Sequence, residues 1–381
     1  MVKGAEVVII GGGVIGSSIA YYLAKEGCRD VVVLEREYPT WGASGRCGAG
    51  IRQQWGTKMN CRLAKGSVEL FQGLSEELDY DIEFEQGGYL VLATSHAQLE
   101  QYRRNVALQN SLGIPSKIVT PQEAKEIVPI LRTDGLPGAA YCPTDGHANP
   151  FKANLAYLQA AQRLGVKLFK FTEAKGIDVK GGKVRGVVTS KGKIETTKVV
   201  NAAGGYSAEV GKLAGLEIPT FSERHQIMVT EPLDHLFDPM VISFTSGLYC
   251  QQVPPGSILM GMGDPSEPHS HNITSSWQFL QKMAQEVLKI LPILKDIRVV
   301  RQWAGLYNKT PDAQPILGQA EKVEGFYMAV GFSGHGFMVA PMVSLILARL
   351  IMGRKSPISV ERLSLERYER GELVIEPSVV G

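Results

Sequence analysis

The stretch from Val7 to Glu35 constrains this chain more than any other part of it. Val7 to Ile10 is a short β-branched apolar run, the pattern of a strand buried on both faces. Gly11-Gly12-Gly13-Val14-Ile15-Gly16 follows, and a helical pattern runs from Val14 to Glu26 before stopping at Gly27. Val31 to Leu34 is a second buried strand, ending at Glu35. Strand, helix and strand with a short return predict a right-handed βαβ unit. The glycines match GxGxxG: Gly11 permits the tight turn, Gly13 lets a pyrophosphate approach the backbone, and Gly16 lets the helix close on the strand. The helix N-terminus offers unpaired N–H groups and the positive end of its dipole to phosphates. Glu35 stands about 20 residues on, where an acidic group accepts hydrogen bonds from ribose hydroxyls and disfavours a 2′-phosphate. GxGxxG alone is weak, since glycine turns are common. The preceding strand, the following helix and Glu35 together favour a dinucleotide site over a structural glycine turn.

The motif does not separate FAD from NAD, but three later segments favour FAD. Gly42-Ala43-Ser44-Gly45-Arg46-Cys47-Gly48-Ala49-Gly50 is a loop of mostly small residues that can lie against a pyrophosphate and a flavin ring. Asn201-Ala202-Ala203-Gly204 ends a central strand in small residues. Gly331-Phe332-Ser333-Gly334-His335-Gly336 opens a last, long apolar helix, a second helix N-terminus that a protein binding only NAD does not need.

At 381 residues the chain is longer than one ordinary core, so two domains are expected. Buried parallel-type strands occur early (7–10, 31–34), in the middle (166–171, 199–203) and late (326–330). The segments between differ: a strand at 86–94, an exposed helix at 96–112, a capping box at Thr120-Pro121-Gln122-Glu123, then several strands and one helix (276–291) over about 221–307. The expected fold class is therefore α/β plus α+β. A discontinuous Rossmann-like FAD-binding domain (1–85, 145–220 and 325–381) carries an inserted, mainly antiparallel β-sheet substrate domain (86–144 and 221–324). Helices are also expected from Asn149-Pro150 to Leu164, and a hairpin turning at Gly181-Gly182.

A formal charge of +2 with interspersed signs gives no footprint for nucleic acid or an acidic membrane. The five cysteines lack CxxC spacing, which argues against a disulfide framework or a structural zinc site and fits a reducing cytoplasm. The strand pattern begins at Ala5, so no signal peptide is expected before it. Met338 to Met352 falls short of the roughly 20 residues of a membrane span and predicts a buried helix. His269 and His271 form an HxH without a third ligand nearby, so a solvated loop is expected rather than a metal site. Cys47 is expected to pack as a small residue, and Met260, Met262, Met338 and Met342 as core or partner-surface residues.

Together, the GGGVIG turn with Glu35, the GASGRCGAG loop, NAAGGYS, YNKTPD (Tyr307 to Asp312) and GFSGHGF (Gly331 to Phe337) resemble the D-amino-acid-oxidase-type FAD oxidoreductases over nearly the whole chain. Within them the chain is similar to the sarcosine oxidase and glycine oxidase branch, and in particular to the β subunits of dye-linked L-proline dehydrogenases and heterotetrameric sarcosine oxidases. The resemblance implies oxidation of an amino acid's C–N bond, with hydride passing from substrate carbon to flavin N5. It implies a cofactor-binding set of Gly11, Gly13, Val14, Ile15, Gly16, Glu35, Arg36, Ser44, Arg46, Gly48, Gly50, Ile51, Ala174, Ala203, Gly204, Gly305, Gly331, Gly334, His335, Gly336, Phe337 and Met338. Arg52 matches the residue that holds the substrate carboxylate, a role a planar guanidinium suits. His225, Tyr249 and His335 complete the implied catalytic set, with ordinary core or loop residues as the competing reading.

Five departures refine the picture. Gly305 stands where monomeric relatives carry a flavin-linking Cys, and Arg46 where others carry a linking His, so FAD is expected to be non-covalent. Leu259 replaces an oxygen-activating Lys, which points to a dehydrogenase with an α-type partner subunit and another electron acceptor. Met338 replaces a carboxylate-binding Lys. Pro150 replaces the His that links FMN at a subunit interface in sarcosine oxidase complexes, so any FMN here is expected to be non-covalent. The readings carried forward are an amino-acid dehydrogenase acting on proline or a sarcosine-like amine, a glycine or sarcosine oxidase making peroxide, a non-catalytic electron-transfer subunit, and a plain NAD dehydrogenase.

Overall fold

Alternate residues of the two early strands face two different cores. A computed structural model of the chain describes residues 2–376 and 378. Val7–Ile10 and Val31–Leu34 are buried along their whole length. Val7, Ile9, Val31 and Val33 face one core, under the helices Val14–Lys25, Lys58–Glu77, Pro150–Arg163 and Gly336–Ile351. Val8, Ile10, Val32 and Leu34 face the other, closed by the antiparallel sheet of Ala174–Lys180, Lys183–Thr189 and Gly192–Glu195. Two covered faces explain why the strands are apolar throughout rather than alternating.

Six strands form this sheet, in the order Ile316–Gln319, Phe326–Val330, Val199–Asn201, Val7–Ile10, Val31–Leu34, Lys167–Phe169. All neighbours are parallel except the first pair. Ile316–Gln319 lies in the segment expected to form the inserted domain, yet it pairs antiparallel with Phe326–Val330. The sheet therefore reclaims the chain before residue 325, because a short hairpin keeps these two strands together.

A second sheet takes all its strands from 86–144 and 221–324, in the order Val299–Lys309, Phe221–Pro232, Ser257–Met262, Leu248–Gln252, Met240–Ser243, Tyr89–Ala93, Gly138–Cys142, Lys117–Val119. It is antiparallel except where Met240–Ser243 meets Tyr89–Ala93. One face packs under the amphipathic helix Trp277–Ile290 through Phe279, Met283 and Val287, with Met260 and Met262 in the same core. The other carries Tyr89, Ile227, Met240, Ile242 and Tyr249.

Local signals placed most elements. Ser95, Thr120, Asn149 and Ser276 cap their helices with side-chain oxygens, and Thr120 and Glu123 form a reciprocal capping box. Gly181 and Gly182 turn the expected hairpin with φ of +57° and +71°. The helix Lys58–Glu77 was not anticipated, although Thr57 caps it and Cys61, Ala64, Val68, Phe71 and Leu74 form a buried stripe at helical spacing.

The YNKTPD segment proves to be a fastening. Asp312 takes Arg367 Nε and Nη2, both at 2.9 Å, and neither side chain is exposed. Burial works against the Asp312 carboxylate, but bonds from Arg367 and Tyr368 outweigh it and hold the carboxyl below its usual range. Thr310 N–H donates to Ser333 Oγ, and Asn308 Oδ1 accepts the Gly331 N–H at 2.8 Å, tying this segment to the Gly331–Gly336 loop. Arg367→Met leaves a buried carboxylate unpaired and should cost about 3–5 kcal/mol of unfolding free energy. Urea unfolding of both proteins at one pH checks this.

Candidate active site

The glycine turn works by exclusion. A Cβ on Gly11 would lie 2.3 Å from the Ala202 carbonyl oxygen, and one on Gly16 would lie 1.9 Å from the Gly11 carbonyl oxygen. Two strand ends and a helix start thus meet where no side chain fits. Asn154 donates to the Gly12 carbonyl at 3.0 Å and steadies the turn from the helix Pro150–Arg163.

Above this turn opens a cleft of about 440 Å³. Fifteen of the implied cofactor residues line it: Gly11, Gly13, Val14, Ile15, Glu35, Arg36, Ser44, Arg46, Ala174, Ala203, Gly204, Gly305, Gly334, Gly336 and Phe337. Glu35 Oε2 accepts the Gly12 N–H and Oε1 the Glu37 N–H, both at 2.8 Å, so its carboxylate is aimed at the first turn. Ser44 Oγ accepts the Val14 N–H at 2.9 Å, which brings the Ala43–Arg46 turn onto the helix N-terminus. A Cβ on Gly13 would come within 3.0 Å of that hydroxyl. Arg36 stacks 4.1 Å from the Tyr206 ring. Arg46 donates to the Trp41 and Ala304 carbonyls at 2.9 and 3.0 Å, binding the small-residue loop to the second sheet.

A smaller pocket of about 80 Å³ adjoins the cleft, and Cys47, Tyr249, Tyr307, Ser333, Gly334 and Phe337 line both. Gly48, Gly50, Arg52, His335 and Met338 also line the small pocket. Gly50 is required there, since a Cβ would fall 1.6 Å from the Tyr89 hydroxyl. Gly16, Ile51 and Gly331 line neither cavity. Gly16 lies beneath the turn, Ile51 is fully buried in the core, and Gly331, at φ +72°, makes the bend after its strand.

Arg52 is 4% exposed and sits 4.0 Å over the Trp55 ring and 5.4 Å from that of Phe244. It donates to the Gln54 and Ser378 carbonyl oxygens, and among the described residues no carboxylate is bonded to it. Burial weakens its hold on the proton. Trp55, the largest fully buried side chain, also packs edge-on against His335 at 4.9 Å. His335 is buried and neither ring nitrogen has a hydrogen-bond partner among the described residues. Burial, then the charge of Arg52, pushes its pKa down to about 3. His225 likewise falls to about 3, through burial and then the charge of Lys309. It stacks on Tyr307 at 4.2 Å, and its Nε2 lies 3.2 Å from the Tyr249 hydroxyl. Both imidazoles are therefore neutral near pH 7, able to share hydrogen bonds but weak as bases.

Leu259 approaches the flavin-loop glycine Gly48, whose Cβ would lie 3.3 Å from its side chain. Gly305 lies under Arg46, with 3.0 Å from an added Cβ to the Arg46 Cβ. Cys47 reaches the cleft, but burial pushes its thiol up to about 11, as suits a packing residue rather than a nucleophile. His269 and His271 stack on Phe221 and Tyr206 at 4.1 and 4.4 Å, and no group of three metal-ligating side chains occurs among the described residues.

The family model for FAD-dependent oxidoreductases (DAO) matches residues 6–350. The chain belongs to this family. It is 30% identical to the sarcosine oxidase subunit beta of Arthrobacter sp over 380 residues, covering 98% of this chain and 93% of that one. The crystal structure of L-proline dehydrogenase from P. horikoshii superposes with a TM-score of 0.94 at 41% identity, over 98% of this chain and 100% of that one. Glycine oxidase from Geobacillus kaustophilus superposes with a TM-score of 0.89 at 25% identity, over 96% and 99%. The chain is thus an FAD-dependent oxidoreductase, and its cleft fits FAD: the glycine cradle, the aimed Glu35 carboxylate and the helix N-terminus at Val14 supply complementary groups for a ribose and a pyrophosphate.

Trp55, Tyr89 and Asp145 escaped the sequence reading, as did Tyr307 within a quoted motif. Asp145 is fully buried and accepts from Gln53 N–H at 2.8 Å and Gln54 Nε2 at 3.0 Å. Nothing local marks it, because its partners lie some ninety residues away.

Two outcomes follow from these contacts. Glu35→Ala should weaken FAD binding by about 1.5–3 kcal/mol, the worth of hydrogen bonds to a charged group; fluorescence titration of apoprotein with FAD measures it. Burial raises Asp145 from 3.8 to about 6, against the opposing bonds of Gln54 and Gln53. Such a group adds stability below its unfolded value that is lost as pH rises through its folded value. Wild type should lose about 2 kcal/mol from this group between pH 4 and 7, and Asp145→Asn should flatten that slope. Urea unfolding at the two pH values checks it.

Proposed function

We propose that the chain is an FAD-dependent dehydrogenase of amino acids bearing a secondary amine, with L-proline the foremost substrate, and that it serves as the catalytic β-type subunit of a multisubunit complex. The observation that carries the reading is Arg52: a buried guanidinium with no carboxylate bonded to it among the described residues, at the wall of a small pocket that opens into the FAD cleft. Glu376 and Asp145 act on this charge without a direct bond, and a substrate carboxylate bonded to the guanidinium would offset the cost of burying it. The pocket suits a small amino acid rather than a long one. The names of the relatives, L-proline dehydrogenase and sarcosine oxidase subunit beta, agree with amine oxidation and with a subunit role.

FAD, when bound, supplies the acceptor for the hydride leaving the substrate carbon. With FAD bound, Glu35 would accept from ribose hydroxyls, while the Ser44 hydroxyl, which holds the Val14 N–H, and the positive end of the helix Val14–Lys25 would face the pyrophosphate. Arg52 orients the substrate by its carboxylate, and the aromatic walls of Trp55, Tyr89 and Tyr307 keep water out. His335 lines the small pocket, and its ring nitrogens, unbonded among the described residues, would meet a ligand there without adding charge. Neutral His225 orients the Tyr249 hydroxyl rather than taking a proton itself. FAD is held non-covalently, since Gly305 and Arg46 offer no linking side chain. An FMN at a subunit contact would also be non-covalent, because Pro150 opens a helix where a linking His would stand. The five free cysteines fit the cytoplasm, and among the described residues no helix is long and apolar enough to cross a membrane.

The similarity to glycine oxidase favours a second reading, an oxidase that makes peroxide. Leu259, at the position of the oxygen-activating Lys, supports the dehydrogenase.

An anaerobic screen of amines, followed by flavin absorbance, should show bleaching with L-proline. Dye reduction should outpace peroxide formation in air; fast peroxide formation would overturn the dehydrogenase assignment. Bleaching by no amine would favour a non-catalytic electron-transfer subunit. Arg52→Met should raise the apparent Kd for L-proline by about 100-fold, equivalent to about 3 kcal/mol. A variant that bleaches with unchanged concentration dependence would remove Arg52 from substrate binding.

A further inference from the structure

Arg52 is held by a part of the chain far from it in sequence. Its Nη2 donates to the Ser378 carbonyl oxygen at 2.8 Å. Ser378 is itself fixed twice: its N–H donates to Glu376 Oε1 at 3.0 Å, and its hydroxyl accepts from Asn105 Nδ2 at 3.3 Å. Glu376 is 7% exposed and takes three further donors, Gly56 N–H at 2.8 Å, Thr57 Oγ1 at 2.8 Å and Asn60 Nδ2 at 3.0 Å. Those three belong to the turn that follows Arg52 and opens the helix Lys58–Glu77.

Burying a carboxylate is expensive, and four donors are a large investment for joining a peripheral segment to a helix start. The arrangement has a consequence for Arg52. The Trp55 face attracts the guanidinium, whose central carbon lies 4.0 Å from the ring centroid, but such an attraction leaves the fork free to turn. Two carbonyls on two different nitrogens, from Gln54 and Ser378, remove that freedom. Each takes one N–H, and the other N–H groups of the guanidinium remain for a ligand. Gln54 is near in sequence and comes with the local loop, whereas Ser378 depends on Glu376.

We propose that Glu376 is a positioning residue for substrate binding: by anchoring the Ser378 carbonyl on Arg52, it fixes the angle at which the guanidinium meets the substrate carboxylate. The proposal rests on the reading of Arg52 as the carboxylate anchor. Glu376 lines neither cavity, so its effect on substrate passes through the residues it holds, first of all the Ser378 carbonyl on Arg52.

The test uses full-length holoprotein carrying Glu376→Gln or Glu376→Ala, beside Arg52→Met. Anaerobic flavin bleaching is titrated with L-proline, or with sarcosine if proline does not bleach the wild type. Glu376→Gln, which keeps one accepting oxygen, should raise the apparent Kd severalfold, and Glu376→Ala about tenfold. The limiting bleaching rate and the FAD content should stay at wild-type values, because a merely structural role would move these as well. An unchanged Kd in both Glu376 variants overturns the proposal. A lowered Kd overturns it too, since the Ser378 carbonyl would then be competing with substrate. If Glu376→Ala does not retain FAD, the Gln variant decides on the same criteria. Should Arg52→Met raise the Kd while neither Glu376 variant does, only the positioning role fails. Should Arg52→Met leave it unchanged, or wild-type flavin bleach with neither amine, the reading beneath the proposal fails and the proposal with it.

Discussion

The contact on which the rest of the molecule depends is the meeting of backbone with backbone at the glycine turn. The Ala202 carbonyl occupies the space a Cβ of residue 11 would need, and the Gly11 carbonyl occupies that of residue 16. This lets Val7–Ile10, Val199–Asn201 and the helix Val14–Lys25 converge with their ends together. An L residue at any of these points would push strand and helix apart, and the cleft above them would lose its floor. The polar groups of the site, from Glu35 on Gly12 to Ser44 on Val14, are aimed relative to that floor.

The second sheet supplies what the first lacks. Its inner face brings Tyr89 and Tyr249 against Gly50 and Gly48 and, from its edge strand, Tyr307 against Gly334. The two units are joined by specific bonds rather than by apolar area alone. Arg46 reaches the Ala304 carbonyl, Gln251 reaches the Gly48 carbonyl at 2.7 Å, and Asn308 holds Gly331. Directional bonds of this kind set the spacing between cleft and pocket, which non-directional burial leaves loose.

Much of this was legible in the chain itself. Gly11 to Glu35 read correctly because each step of a βαβ turn has a local physical requirement. The helix starts at Thr120 and Asn149 were legible for the same reason, since a cap bonds within a few residues of itself. The strand Ile316–Gln319 had no local mark, because its pairing with Phe326–Val330 decides which sheet it joins. The helix Lys58–Glu77 was passed over although its apolar stripe and cap were present. Asp145 and Glu376 could not be found locally, as Gln53 and Gln54 lie some ninety residues from the first, and Gly56, Thr57 and Asn60 more than three hundred from the second.

The sequence by itself determined the dinucleotide turn, the acidic residue that ends the second strand, the alternation of buried and half-buried strands, and the residue types on hand for binding an amino acid. These follow from short-range sterics and periodicity, which a few neighbouring residues satisfy on their own. Tertiary structure decided which of those residues became partners. Among the described residues, it buried Arg52 without a carboxylate bonded to it, left both nitrogens of His335 unbonded, and paired Asp312 with Arg367. Charge, burial and hydrogen bonding at a site are properties of what surrounds a side chain, and only the closed fold brings those surroundings together.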